Sequence, residues 1–157
     1  MGPNSQILPS GIQPGSLQVL GNSSLLIVGT GAMACLFAAR LSQAGIPVTL
    51  LGSWREGLDA LQSHGVRLID EDGLEHAFPV QVAAASSDCT GSRFALVLVK
   101  AWQTEHAARQ LAACLAPDGL ALTLQNGLGN RETLEQTLGP GHVAFGVTTM
   151  GATLLGP

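Results

Sequence analysis

The sequence predicts an α/β fold: a doubly wound, mostly parallel sheet with helices on both faces. Three observations carry that prediction. From residue 24 onward, short apolar runs alternate with amphipathic stretches of helical period. Runs such as Phe94–Val99 are apolar throughout, as strands buried on both faces are. The first run passes straight into Gly29-Thr30-Gly31, and a helical pattern follows without a polar linker.

The elements read in order as follows. Leu25–Val28 is a buried strand, and Ala32–Ala44 a helix with Met33, Leu36, Phe37 and Leu41 on one side. Gly45 ends that helix, and Pro47–Leu51 is a second strand that begins on a proline. Arg55–His64 is an amphipathic helix turning Leu58 and Leu61 inward, with Gly65 at its C-terminus. Val66–Ile69 and Leu74–Val82 are strands of a hairpin around Asp72-Gly73. Then come strand Phe94–Val99, helix Thr104–Leu115 stopped by Pro117, strand Leu120–Leu124, helix Asn130–Leu138 and strand Val143–Thr148. Residues 1–23, rich in Pro, Gly, Ser and Asn, read as a loosely ordered leader. Residues 24–157 then form a single dinucleotide-binding domain.

Composition narrows the function. With 157 residues the chain fits one domain with a real core, and 46% hydrophobic against 11% charged residues makes it globular. A net charge of −4 argues against nucleic acid and anionic membrane surfaces as partners. No apolar run approaches the roughly 20 residues of a membrane span, and no secretory signal is visible. Cys35, Cys89 and Cys114 are odd in number and widely spaced, which suits a reducing cytoplasm. The four histidines stand at no metal-ligand spacing, so no metal is expected.

The chemistry begins at Gly29-Thr30-Gly31-Ala32-Met33-Ala34, a G-x-G-x-x-A between a strand and a helix. In that setting the first glycine makes the tight turn and the second lets a pyrophosphate approach the backbone. The small sixth residue lets helix and strand pack closely. Exposed N–H groups and the positive helix end would bind the phosphates. A glycine turn kept for packing alone would leave the same trace; the second strand that follows favours dinucleotide binding. At the end of that second strand an NAD site usually places an acid on the ribose. Here stand Leu51-Gly52-Ser53-Trp54-Arg55, with no acid before Glu56. Ser53 and Arg55 could hold a 2′-phosphate by charge-assisted hydrogen bonds, so the expected cofactor is NADP.

Two polar groups stand at other strand ends, where open parallel sheets bind ligands. Lys100 closes Phe94–Val99, and Asn126-Gly127 follows Leu120–Leu124. A snorkelling lysine and an ordinary turn would explain each alone. Together they suit a cation for phosphate or carboxylate and an amide for a ribose or substrate group.

The segments GTGAMACLFAARLSQAG, LVKAWQTEHAA, LTLQNGLGNRETLE and AFGVTTMGA, in this order and spacing, resemble the amino-terminal domain of the ketopantoate reductase (2-dehydropantoate 2-reductase) family. The resemblance runs from Leu25 to about Ala152. It implies NADPH-dependent reduction of ketopantoate to pantoate in pantothenate and coenzyme A biosynthesis. By position, Gly29, Thr30, Gly31, Ala32, Met33 and Ala34 would bind the pyrophosphate, Lys100 and Asn126 the cofactor ribose and substrate, and Ala152 the nicotinamide side. The family often has an arginine where this chain has Ser53. The resemblance also implies a second, helical domain that supplies the general-acid lysine, and no residue here matches that lysine. The expectation is a chain that binds NADPH, has no catalytic residue assigned to it, and, where the second domain is missing, bears an apolar docking face prone to self-association. Two further readings are a non-catalytic NADP-binding or sensing module and an S-adenosylmethionine methyltransferase. The second leaves the Lys-Ala-Trp-Gln and Gln-Asn-Gly-Leu-Gly blocks without a role.

Overall fold

The computed structural model describes residues 24–70 and 72–157; the leader read at residues 1–23 lies outside the described residues. Eight strands and four helices follow one another as β1 (Leu25–Val28), α1 (Ala32–Gln43), β2 (Val48–Leu51), α2 (Arg55–His64), β3 (Val66–Ile69), β4 (Glu75–Phe78) and β5 (Gln81–Ala83), then β6 (Ser92–Val97), α3 (Thr104–Cys114), β7 (Leu115–Thr123), α4 (Asn130–Leu138) and β8 (Val143–Phe145). Six strands make one sheet in the order β5-β2-β1-β6-β7-β8, and every neighbouring pair is parallel. Counted within that sheet the order is 3-2-1-4-5-6, the doubly wound arrangement whose direction reverses between its first and fourth strands. The reversal therefore falls between β1 and β6.

Both faces of the sheet are covered at its centre, which is why β1 and β2 are buried without alternation. Leu26 and Val28 of β1 turn to one face, where Ala107, Ala108, Leu111 and Cys114 of α3 and Leu134 of α4 meet them. Ile27 turns to the other, against Ala34, Ala38 and Ala39 of α1 and Leu61 of α2. Each fully buried Leu or Ile side chain contributes roughly 1.5–3 kcal/mol to folding. Small alanines on α1 and α3 let the helices lie close to the sheet. Burial also pushes the Cys114 thiol up to about 12, with Cys89 beside it, and raises the Cys35 thiol. All three cysteines are free.

The structure departs from the sequence reading by one or two residues at several element ends, β6 closing at Val97 rather than Val99 among them, and more substantially in the following places. Leu74–Val82 is two strands rather than one: β4 pairs antiparallel with β3, and β5 leaves it to pair with β2 in the main sheet. Pro79 stands between them, and a residue without an N–H cannot carry a ladder onward. β6 begins at Ser92, which pairs with Leu115, and a register shift follows before Phe94 meets Leu120. β7 correspondingly starts at Leu115 rather than Leu120, running through Pro117 and Gly119. β8 ends at Phe145, so residues 146–157 carry no regular element. The hairpin itself forms as read, with Gly73 donating to the Asp70 carbonyl at 2.9 Å. It is tied to α1 by the Arg40–Asp70 ion pair at 2.6 Å. Among the described residues no helix is long and apolar enough to cross a membrane, and no group of His, Cys, Asp or Glu could hold a metal ion.

Candidate functional site

β1 ends against β6 at the reversal point, and the chain must turn there into α1 with almost no room. Gly29 makes that turn at φ +123°. A Cβ on it would meet the Leu98 carbonyl oxygen and Val99 Cγ1, each at 3.2 Å. Conformation and space both require glycine. Gly31 is glycine for a different reason. It caps α1 in extended backbone that any residue adopts (φ −82°, ψ −178°). A Cβ on it would meet nothing within 4 Å. The open volume above Gly31 is a cradle that a side chain would fill.

α1 has no side-chain cap at its N-terminus and no acid in its first turn. Its leading N–H groups are therefore left for a ligand, on the positive end of a helix of 12 residues. Around them lies a cavity of about 560 Å³ that spans the carboxyl ends of β2, β1, β6 and β7. Gly29, Thr30, Gly31, Ala32 and Met33 line it beside β1, Ser53 stands past the end of β2, and Lys100 and Asn126 past the ends of β6 and β7; Ala152 lines it as well and shares a second cavity with Thr30 and Trp54. No Asp or Glu lines it, although the chain carries 11 acids against 7 lysines and arginines. Lys100, the sole lysine of the sequence, makes no ion pair among the described residues. A concave site with a free helix N-terminus, a lysine and no carboxylate is built for an anion such as a pyrophosphate.

A partly buried polar network fixes the Lys100 and Asn126 end. Gln125 Nε2 donates to the Val99 carbonyl and to Thr104 Oγ1, each at 2.9 Å. Thr104 Oγ1 lies 2.9 Å from Asn130 Oδ1, and Asn130 Nδ2 donates to the Asn126 carbonyl at 3.1 Å and the Gly127 carbonyl at 3.3 Å. Thr104 and Asn130 are both buried. This chain of bonds ties the loop carrying Asn126 to the start of α3, just after Lys100. The Lys100 N–H donates to Gln103 Oε1 at 3.3 Å, closing the short turn between them.

Nine of the eleven residues expected from the sequence thus share one cavity. Two do not line it. Ala34 is wholly buried against the sheet and serves the close packing of α1. Arg55 is exposed at the start of α2, beside the wall that Ser53 forms. The sequence reading also missed lining residues, chiefly Trp54, Gln103, His106 and Gln125. Trp54 and Gln125 each adjoin a residue singled out, but nothing in their spacing told which way their side chains point.

Fold and loop together define a doubly wound α/β domain of the Rossmann-like class. The chain belongs to the ketopantoate reductase PanE/ApbA family, whose model matches residues 25–157. It is 32% identical over 133 residues to a 2-dehydropantoate 2-reductase of Halobacterium salinarum, covering 85% of this chain and 44% of that one. A PanE/ApbA family ketopantoate reductase of Ralstonia eutropha has a similar structure (TM-score 0.77, 30% identity), covering 85% of this chain and 44% of that one. So has D-mandelate dehydrogenase with NADH and anilino(oxo)acetate (TM-score 0.77, 25% identity), covering 85% and 43%. The chain spans less than half the length of the curated relatives it matches.

Proposed function

We propose that this chain is the NADP(H)-binding domain of a 2-dehydropantoate 2-reductase-like oxidoreductase of pantothenate biosynthesis. The observation that carries the proposal is the acid-free cavity running from Ser53, over the uncapped end of α1, to Lys100 and Asn126. The α1 N–H groups and the space above Gly31 hold the pyrophosphate. Lys100 and Asn126 hold the far ribose and the polar groups of a small 2-oxo acid, the first by charge and the second by hydrogen bonds. When bound, NADPH supplies the hydride that turns such a carbonyl into a hydroxyl. The carbonyl oxygen also needs a proton, and the Asn126 amide donates a hydrogen bond without giving one up. In this reading Lys100 and Asn126 bind rather than transfer a proton, and the domain by itself holds cofactor without completing the reduction. Three free thiols fit a reducing cytoplasm as its location. Self-association would rest on exposed apolar side chains, Trp102, Leu128 and Val147 among them.

Cofactor choice is the finer point, since one structural neighbour carries NADH. The reading here is NADPH, because β2 ends without an acid and Arg55 stands exposed two residues past Ser53. NADPH is expected to bind more tightly than NADH, and Arg55→Ala to shrink that preference by about tenfold, the worth of a hydrogen bond to a charged group. Calorimetric titration of both proteins with both cofactors measures it. Equal affinities in the parent chain, or an unchanged ratio in the variant, would reject the NADP assignment.

A further inference from the structure

One aromatic ring on the cavity wall has no part in the fold that its surroundings explain. Trp54 caps α2 in extended backbone (φ −78°, ψ 95°) and lines the cavity next to Gly52 and Ser53. It remains 40% exposed, and its indole rests on Gly57. A Cβ at Gly57 would lie 2.3 Å from Trp54 Cε3 and 2.7 Å from Cζ3, so the ring occupies the place of the missing side chain. Glycine inside a helix costs about 0.5–1 kcal/mol relative to alanine. The first turn of α2 bears that cost, and the result is a seated, part-exposed ring on the wall shared by this cavity and a second one that Gly57 and residues 150–157 line.

The position of the ring says what it would meet. In a doubly wound sheet the pyrophosphate lies at the first helix N-terminus, and the adenosine ribose lies at the end of the second strand. Ser53 stands at that strand end, and Trp54 is the next residue outward. The nicotinamide half runs the opposite way, toward Lys100 and Asn126. We propose that Trp54 is the stacking floor for the adenine base of the dinucleotide, held in place by the absence of a side chain at Gly57. The proposal rests on the reading of the cavity as a dinucleotide site. A flat indole fixed on one side presents its π-face at low entropy cost, the arrangement by which aromatic residues hold bases.

The test is titration of the 157-residue chain with NADPH and with 2′-phospho-ADP-ribose, which keeps the adenosine half and lacks nicotinamide. Trp54→Ala and Trp54→Leu are expected to weaken both ligands by about tenfold or more, the scale of one base–aromatic stack, and Trp54→Phe by no more than about threefold. Gly57→Ala, which improves helix propensity, is expected to weaken both ligands by pushing the ring aside. Leucine binding as well as tryptophan would show that apolar bulk suffices and would overturn the stacking role, as would unchanged affinity in Trp54→Ala. A parent chain that binds neither ligand would overturn the dinucleotide reading itself, and this proposal with it.

Discussion

Gly31→Val is expected to weaken NADPH binding by at least a hundredfold while the protein stays folded. The two halves of that expectation come from the same geometry. A Cβ at Gly31 meets no protein atom within 4 Å, and the backbone there is extended, so valine strains nothing. Its effect on the helix cap is about 1 kcal/mol, small against the roughly 5–15 kcal/mol of a typical domain. The side chain instead fills the cradle in front of the first α1 N–H groups. Hydrogen bonds to a charged group are worth about 1.5–3 kcal/mol each, so losing two gives the hundredfold or more. Thermal shift with and without NADPH reads both halves. A variant as strongly stabilised by NADPH as the parent would mean that phosphate does not sit over Gly31.

Asn130→Leu is expected to lower stability by about 2 kcal/mol, a drop in Tm of roughly 4–8 °C for a domain of this size. The Asn126 and Gly127 carbonyls lose their donor, and Thr104 loses an oxygen partner at 2.9 Å. A buried polar group left unpaired costs about 1–3 kcal/mol, but Asn126 and Gly127 are exposed, so their carbonyls turn to water, and Thr104 Oγ1 keeps the Ala101 carbonyl at 2.8 Å. Because these bonds hold the Asn126 loop, NADPH affinity is expected to fall as well. Differential scanning calorimetry checks the first effect; a Tm within 2 °C of the parent would show that the network contributes little.

What the sequence made legible follows from how local each feature is. β1, α2 and α4 have the boundaries read from period and glycine punctuation alone. The loop from Gly29 to Met33 was legible because its strand, turn and helix are contiguous. Lys100 and Asn126 were legible because parallel sheets put ligands at strand ends, and both close apolar runs. The errors are nonlocal. Leu74–Val82 looks continuous, and only the availability of two different partners, β3 and β2, divides it at Pro79. β6 and β7 start early because Ser92 finds Leu115, a pairing with no local signal. The network of Thr104, Gln125 and Asn130 joins residues 21 and 26 positions apart. Asn130 in the sequence is only a good first-turn helix residue. Ala34 takes the packing place that the sixth position of the motif is read to have, and Arg55 stands exposed beside the cavity.

The most direct measurement is calorimetric titration of the purified 157-residue chain with NADPH, followed by an assay of NADPH oxidation with ketopantoate at high protein concentration. The account predicts saturable binding of one NADPH per chain and no useful turnover, since general-acid catalysis typically contributes about 10²–10⁴-fold and the proposed roles of Lys100 and Asn126 are binding rather than proton transfer. Failure to bind NADPH or NADH would contradict the cofactor site. Binding with turnover within about tenfold of ordinary enzymes, whose kcat is roughly 1–10³ s⁻¹, would show that a proton donor lies among these residues and that Lys100 and Asn126 were given the wrong roles.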